Sequence, residues 1–157
     1  MDNIQSWIDQ LTPWYKTNGR CDKSILIETI SNAPNSIFTS IDSQLHSEAL
    51  AYWLDACLTL SRIYQNIGNI ELAFSYLQFA YSKVQEVATT PNQSPNMKRW
   101  GLKKLDCMII DLMAFCQQQQ QEKWQQECAD LVNCHVLFMK GQFHQNLAYP
   151  NKEQFDY

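Results

Sequence analysis

Apolar residues recur along this chain at the three-to-four spacing of amphipathic helices, and one such stripe follows another with few interruptions. Ile4, Trp7, Ile8, Leu11 and Tyr15 make the first stripe, with Asp2 or Asn3 as N-cap. Pro13 falls late in it, and Asn18-Gly19 is a stop signal. Asp22 stands where it can cap a short second helix carrying Ile25, Leu26 and Ile30, which Asn32-Ala33-Pro34-Asn35 then breaks. Residues 43–67 form the longest periodic segment. Leu45, Ala49, Leu50, Trp53, Leu54, Cys57, Leu60, Ile63, Tyr64 and Ile67 make it apolar on most sides, the mark of a central helix. One narrow stripe stays polar. Glu48, Asp55, Thr59, Arg62 and Asn66 fall on one face, and Tyr52 fills the gap between the first two.

Gly68-Asn69 predicts a tight turn, and a helix follows over 70–88 with Ala73, Leu77, Ala80, Val84 and Val87 inward. Residues 89–96 contain two prolines and read as a loop, with Asn96 capping the next helix. Leu102, Leu105, Ile109, Leu112 and Cys116 form its stripe over 97–118, and the glutamine run 117–121 lies near a second turn. Trp124, Cys128, Leu131, His135 and Phe138 mark a last helix over 122–140, and Gly141 fits the position just past its end. Ser36-Ile37-Phe38-Thr39 is the one β-like tetrad, and it has no partner strand. The pattern predicts an all-α fold of about six helices in three antiparallel hairpins, a superhelix or a bundle. It predicts a single domain over 1–141 and a tail over 142–157 that carries Phe143, Tyr149, Phe155 and Tyr157.

Composition narrows the function classes. The chain has 157 residues, few glycines and prolines, and a formal net charge of −4. A negative balance argues against a general nucleic-acid binder, which needs a basic field to displace counterions. The charge is uneven: Lys98, Arg99, Lys103 and Lys104 make the one basic cluster, a patch suited to an acidic partner. No apolar run approaches the roughly 18 residues of a membrane span. The N-terminal Met1–Ser6 has neither a positive region nor an apolar run, so no secretory signal is expected and the cytoplasm is the expected location. The six cysteines include no Cys-x-x-Cys pair, and in a reducing compartment they are expected to be free, buried thiols.

The hairpin at 54–87 resembles a tetratricopeptide repeat, a two-helix unit of about 34 residues. Leu60-Ser61 fits its leucine-then-small pair, Tyr64 its first-helix aromatic, Gly68 its turn, Ala73 and Ala80 its small sites and Leu77 its large apolar site. Cys57 stands where the family favours tryptophan, and Gln85 where it favours proline. The 97–140 hairpin is a looser copy, with Phe115 in the aromatic place and Trp124 where a small residue is expected. The resemblance implies a right-handed superhelix whose first helices line a groove for a peptide or partner helix. It implies a non-catalytic adaptor or chaperone-like module, in the manner of the repeat-type chaperones of bacterial secretion systems. Glu48, Tyr52, Asp55, Thr59, Arg62 and Asn66 would line that groove. Leu58 and Arg62 stand where the family's clamp for C-terminal carboxylates has lysine and asparagine, so that specificity is not expected.

Rival chemistries are weaker. Cys128, Cys134, His135 and His144 lie close in sequence, but Cys128-x₅-Cys134 is wider than structural zinc spacing and adjacent Cys134-His135 point to different helix faces. There is no nucleophile elbow, phosphate loop or His-Glu-x-x-His. His46 invites comparison with phosphotransfer histidines, but the Lys-Gly that follows those is absent, and a surface histidine is expected. The expectation is therefore a protein or peptide partner with no enzyme activity, metal or cofactor. The alternative is a module that regulates a transcription factor or enzyme through self-association as a homodimer.

Overall fold

The computed structural model describes residues 3–20, 22–39 and 41–148, the side chains of 143–148 excepted. The elements are α1 (Ile4–Asp9), α2 (Thr12–Lys16), α3 (Ser24–Ser31), α4 (Ser36–Thr39), α5 (Gln44–Asn66), α6 (Ile70–Thr89), α7 (Pro95–Gln118) and α8 (Glu122–Ala148). The fold is all-α, with no strand among the described residues. It divides into two compact units, Met1–Met108 and Ile109–Tyr157. The boundary falls within α7, one continuous helix that supplies residues to both units.

In the first unit α5 is the axle. Ala49, Leu50, Trp53, Leu54, Ala56, Cys57, Leu60, Ser61 and Tyr64 are buried, and α1, α3, α4 and α6 all pack on it. Trp53 is fully enclosed, with Phe38 and Phe79 edge-on at centroid distances of 4.9 and 5.4 Å. Its indole N–H donates to the Ile30 carbonyl at 3.4 Å, and that of Trp7 donates to the Thr29 carbonyl at 2.8 Å. These two bonds tie α5 and α1 to the end of α3. The α5–α6 turn follows the sequence signal. Gly68 has φ +83°, which a residue with a Cβ adopts only under strain, and Asn69 caps α6 by accepting the Leu72 N–H at 3.3 Å. Ser61 and Ala73 are buried at the crossing, and the Ser61 hydroxyl donates to the Ala73 carbonyl at 2.9 Å. Residues this small permit close helix approach.

The loop after α6 is pinned by one buried side chain. Gln93 accepts the Ile41 N–H at 3.2 Å and donates to the carbonyls of Phe38 at 3.1 Å and Val87 at 3.3 Å. It thereby satisfies backbone groups from three segments at once. Further on, Gly101 is buried where a Cβ would stand 3.0 Å from the Ala88 Cβ, so its bare backbone admits the end of α6.

In the second unit Ile109, Leu112, Phe115, Cys116, Trp124 and His135 are buried. Phe115 and Trp124 meet edge-on at 5.7 Å across the turn between α7 and α8. Gln120 makes that turn with φ +54°, within the glutamine run where the break was expected.

Several expectations are corrected. The first hairpin is three short helices rather than two: α1 stops at Asp9, and Pro13 starts α2 from the first-turn position where its missing N–H costs nothing. Ser36–Thr39, the β-like tetrad expected to find no partner strand, is a helical turn. Ser94, not Asn96, caps α7 by accepting the Met97 N–H at 3.2 Å, and Pro95 opens the helix. The longest helix is α8, which runs through Gly141 to Ala148, so the tail predicted to begin at 142 starts as helix. Tyr149, Phe155, Tyr157 and Cys21, and the side chains of Phe143 and His144, lie outside the described residues. The thiols of Cys57 and Cys116 are buried as expected, whereas Cys107 and Cys134 are exposed. Burial, and secondarily Cys128 and Glu127, pushes the Cys116 thiol up to about 11.

Replacing Gln93 by Leu strands the Ile41 N–H and two carbonyls, each worth about 1–3 kcal/mol if left dry. After partial relaxation, Gln93→Leu is expected to lower the unfolding free energy by about 2–4 kcal/mol. Exposed Gln125→Leu should change it by less than about 0.5 kcal/mol. Urea unfolding followed by circular dichroism checks both, and equal midpoints would remove Gln93 from the frame.

Candidate functional site

Because four elements cover α5, its remaining solvent face is narrow, and the polar stripe occupies it. Glu48, Tyr52, Asp55, Arg62 and Asn66 are exposed and Thr59 is half-buried. At 1.5 Å rise per residue the stripe from 48 to 66 runs about 27 Å along the helix.

At its N-terminal end the stripe meets α2. Tyr15, Glu48, Ala51, Tyr52 and Asp55 line a cavity of about 450 Å³. The Tyr15 hydroxyl donates to Asp55 Oδ2 at 2.9 Å. The Tyr15 and Tyr52 rings stand 5.6 Å apart with planes tilted by 58°. Glu48 sits one turn before Tyr52, and its Oε1 accepts from Gln44 Nε2 at 3.2 Å. Burial raises the Tyr15 phenol above the ordinary tyrosine value, and the Asp55 carboxylate raises it further, through the hydrogen bond and through its charge. Tyr15 is thus held as a neutral donor toward Asp55.

Sequence reasoning missed Tyr15. The spacing from Ile4 and Leu11 predicts it on the inward stripe of a single first helix, yet it is 41 % exposed. The break at Asp9–Thr12 resets the helical phase, so a pattern that extends from Ile4 and Leu11 no longer predicts where residue 15 points. Pro13 is the signal that could have revealed this. Thr59, Arg62 and Asn66 lie farther along the same face and do not line the cavity.

The basic cluster is a separate feature. Lys98 Nζ donates to the Pro91 carbonyl at 3.4 Å, and Arg99 donates to Asn96 Oδ1 at 2.6 Å. Lys103 is exposed and Lys104 half-buried, beside the partly exposed Trp100. None of the four lines the Tyr15 cavity.

His46 is half-buried rather than simply exposed. Its Nδ1 lies 2.6 Å from the Ser43 hydroxyl and 3.5 Å from Asp42 Oδ1, while Ser43 Oγ also accepts the His46 N–H and caps α5. This is a capping arrangement. A larger polar cleft of about 710 Å³ opens nearby, between Thr39–Ser47 and Asn92–Ser94. Its buried polar side chain, Gln93, is already engaged with three backbone groups. On α8, Cys134 is exposed while its neighbour His135 is buried. Among the described residues no three His, Cys, Asp or Glu side chains are grouped to hold a metal ion, and no helix is long and apolar enough to cross a membrane.

A family model described as protein of unknown function DUF2753 matches residues 28–144. The chain belongs to that family. No curated protein and no solved structure matches it. The segment matched to DUF2753 takes in all of α5, hence Glu48, Tyr52 and Asp55, and leaves out α2 with Tyr15. In this DUF2753 chain the cavity therefore joins the matched segment to an element outside it.

Since Tyr15 ionises less readily in the fold than in the unfolded chain, its contribution to stability is present below about pH 10 and is lost as pH rises through its folded value. In Asp55→Asn the Tyr15 ring should ionise at lower pH than in wild type, yet still above the ordinary value because burial persists. The ring-carbon resonance of Tyr15, followed by NMR from neutral to alkaline pH, measures this. An unchanged titration would show that the Tyr15–Asp55 bond is not formed in solution.

Proposed function

We propose that this chain is a non-catalytic, cytoplasmic protein-binding module, an adaptor or chaperone-like protein whose α5–α6 hairpin is of the tetratricopeptide type. The observation that carries the reading is the cavity of Tyr15, Tyr52, Glu48 and Asp55 on the one uncovered face of the central helix. The close contact of Ser61 with Ala73, and the burial of Ala80, support the repeat-like hairpin. A partner segment lies along α5, with one residue anchored in the cavity and the rest passing Thr59, Arg62 and Asn66. Asp55 gives the strongest polar contact, because hydrogen bonds to a charged group exceed neutral ones. Arg62, roughly 10 Å farther along by helical rise, adds a peripheral one.

A second reading, regulation of a transcription factor or enzyme through self-association as a homodimer, rests on Ile110, Val136 and Leu137. These are 64 %, 43 % and 68 % exposed in the second unit.

The test is capture from native lysate with wild type, Asp55→Arg and Arg62→Glu side by side, each first shown to be folded. Wild type is expected to retain a partner that Asp55→Arg loses and Arg62→Glu holds weakly. Identical capture by all three would remove the α5 face from the function. Recovery of the chain's own copies alone would favour self-association.

A further inference from the structure

The chain repeatedly sets a lysine of its own over its aromatic clusters. Lys83 lies 4.8 Å from the Phe38 centroid, within the Phe38–Trp53–Phe79 group. Lys23 lies 5.9 Å from Tyr64, which stacks on Tyr76 at 5.8 Å. Lys123 lies 5.1 Å from Trp124. The Tyr15–Tyr52 pair differs. Among the described residues no lysine or arginine lies over either ring, and none lines the cavity. Two carboxylates line it instead, and neither makes an ion pair among the described residues.

Resting on the partner-binding reading above, we propose that the Tyr15–Tyr52–Asp55–Glu48 cavity is a cage for a cationic side chain, an arginine or lysine presented by the partner. Three features converge on that chemistry. Ring faces carry negative quadrupole potential and attract a cation within about 6 Å of the centroid, and the two rings, 5.6 Å apart, line the same cavity. Glu48 and Asp55, about two helical turns apart on α5, add charge of the same sign from the same helix. The Tyr15–Asp55 bond fixes the ring and the carboxylate relative to each other before the ligand arrives, so less ordering remains to be done on binding. A volume of about 450 Å³ admits a guanidinium or ammonium group with its aliphatic stem. An anionic residue would meet two carboxylates, and a purely apolar one would bring neither of them a counter-charge.

The experiment uses the full chain and four blocked pentapeptides, Ser-Ala-Xaa-Ala-Ser with Xaa arginine, lysine, methionine or glutamate. NMR follows the Tyr15 and Tyr52 rings and the side-chain protons of each peptide. The arginine and lysine peptides are expected to shift both rings saturably, with their own methylene protons displaced upfield by the ring currents. They should bind at least about tenfold more tightly than the methionine or glutamate peptide, with affinity falling as salt is raised. Asp55→Asn, which keeps the shape, should weaken them by at least about threefold. Tyr52→Ala should abolish the upfield displacement. Absence of saturable shifts with both basic peptides, equal binding of the methionine peptide, or insensitivity to both substitutions would overturn the cage. The two readings fail separately. If Asp55→Arg still abolishes partner capture while basic peptides do not bind, the cage falls and the groove stands. If basic peptides bind while capture is indifferent to Asp55, the cage stands as a cation site and the groove falls.

Discussion

The enclosure of α5 is the constraint from which the rest of the first unit follows. Trp53 at its centre is fully buried, flanked edge-on by Phe38 and Phe79 and hydrogen-bonded to Ile30. Burying one large side chain fully is worth about 1.5–3 kcal/mol, and α5 buries several in succession. Every element that covers it takes one of its faces, α6 on one side and α1, α3 and α4 on others. What is left is a single stripe, and only there can α5 carry charged side chains facing water. The stripe that bears the candidate site is thus the geometric remainder of core formation.

Polar groups inside this frame are spent on fixing it. Gln93 gathers the segments around Phe38, Ile41 and Val87, Ser61 locks α5 to α6, and the two tryptophan N–H groups hold the end of α3. Each bond is modest in net terms, about 1 kcal/mol, but each would be expensive to break inside a dry interior. A site built on helices held in this way keeps its geometry better than one on loops. The Tyr15–Asp55 bond extends the same logic to the surface, joining a short helix to the axle at the point where the cavity forms.

How much of this could be read from the chain depends on whether local signals decided the outcome. The α5–α6 hairpin was legible because Gly68 and Asn69 mark its turn and Ser61, Ala73 and Ala80 mark its crossing. So was the polar stripe, because helical phase holds within one unbroken helix. Tyr15 was not, since Pro13 separates it from the stripe that begins at Ile4 and its partner lies 40 residues away. Gly141 misled because glycine permits a helix end without requiring one, and α8 passes through it. Ser94 outranked Asn96 as a cap because Pro95 suits the first helical position and Asn96 binds Arg99 instead. The division into two units at Met108 was invisible, as it falls inside a continuous helical stripe with no glycine, proline or turn signal beside it.

The central claim is that the cavity between α2 and α5 is where this DUF2753 protein receives a partner, and that it receives a basic residue. Site-specific photo-crosslinking tests that most directly. Benzoylphenylalanine placed at Ala51, which is exposed and lines the cavity, is compared with the same group at exposed Glu71 on α6. The account predicts an adduct from position 51 alone, mapped by mass spectrometry to a partner segment beside an arginine or lysine. Adducts from both positions to the same segment, or an adduct from 51 to a segment without a basic residue, would contradict it.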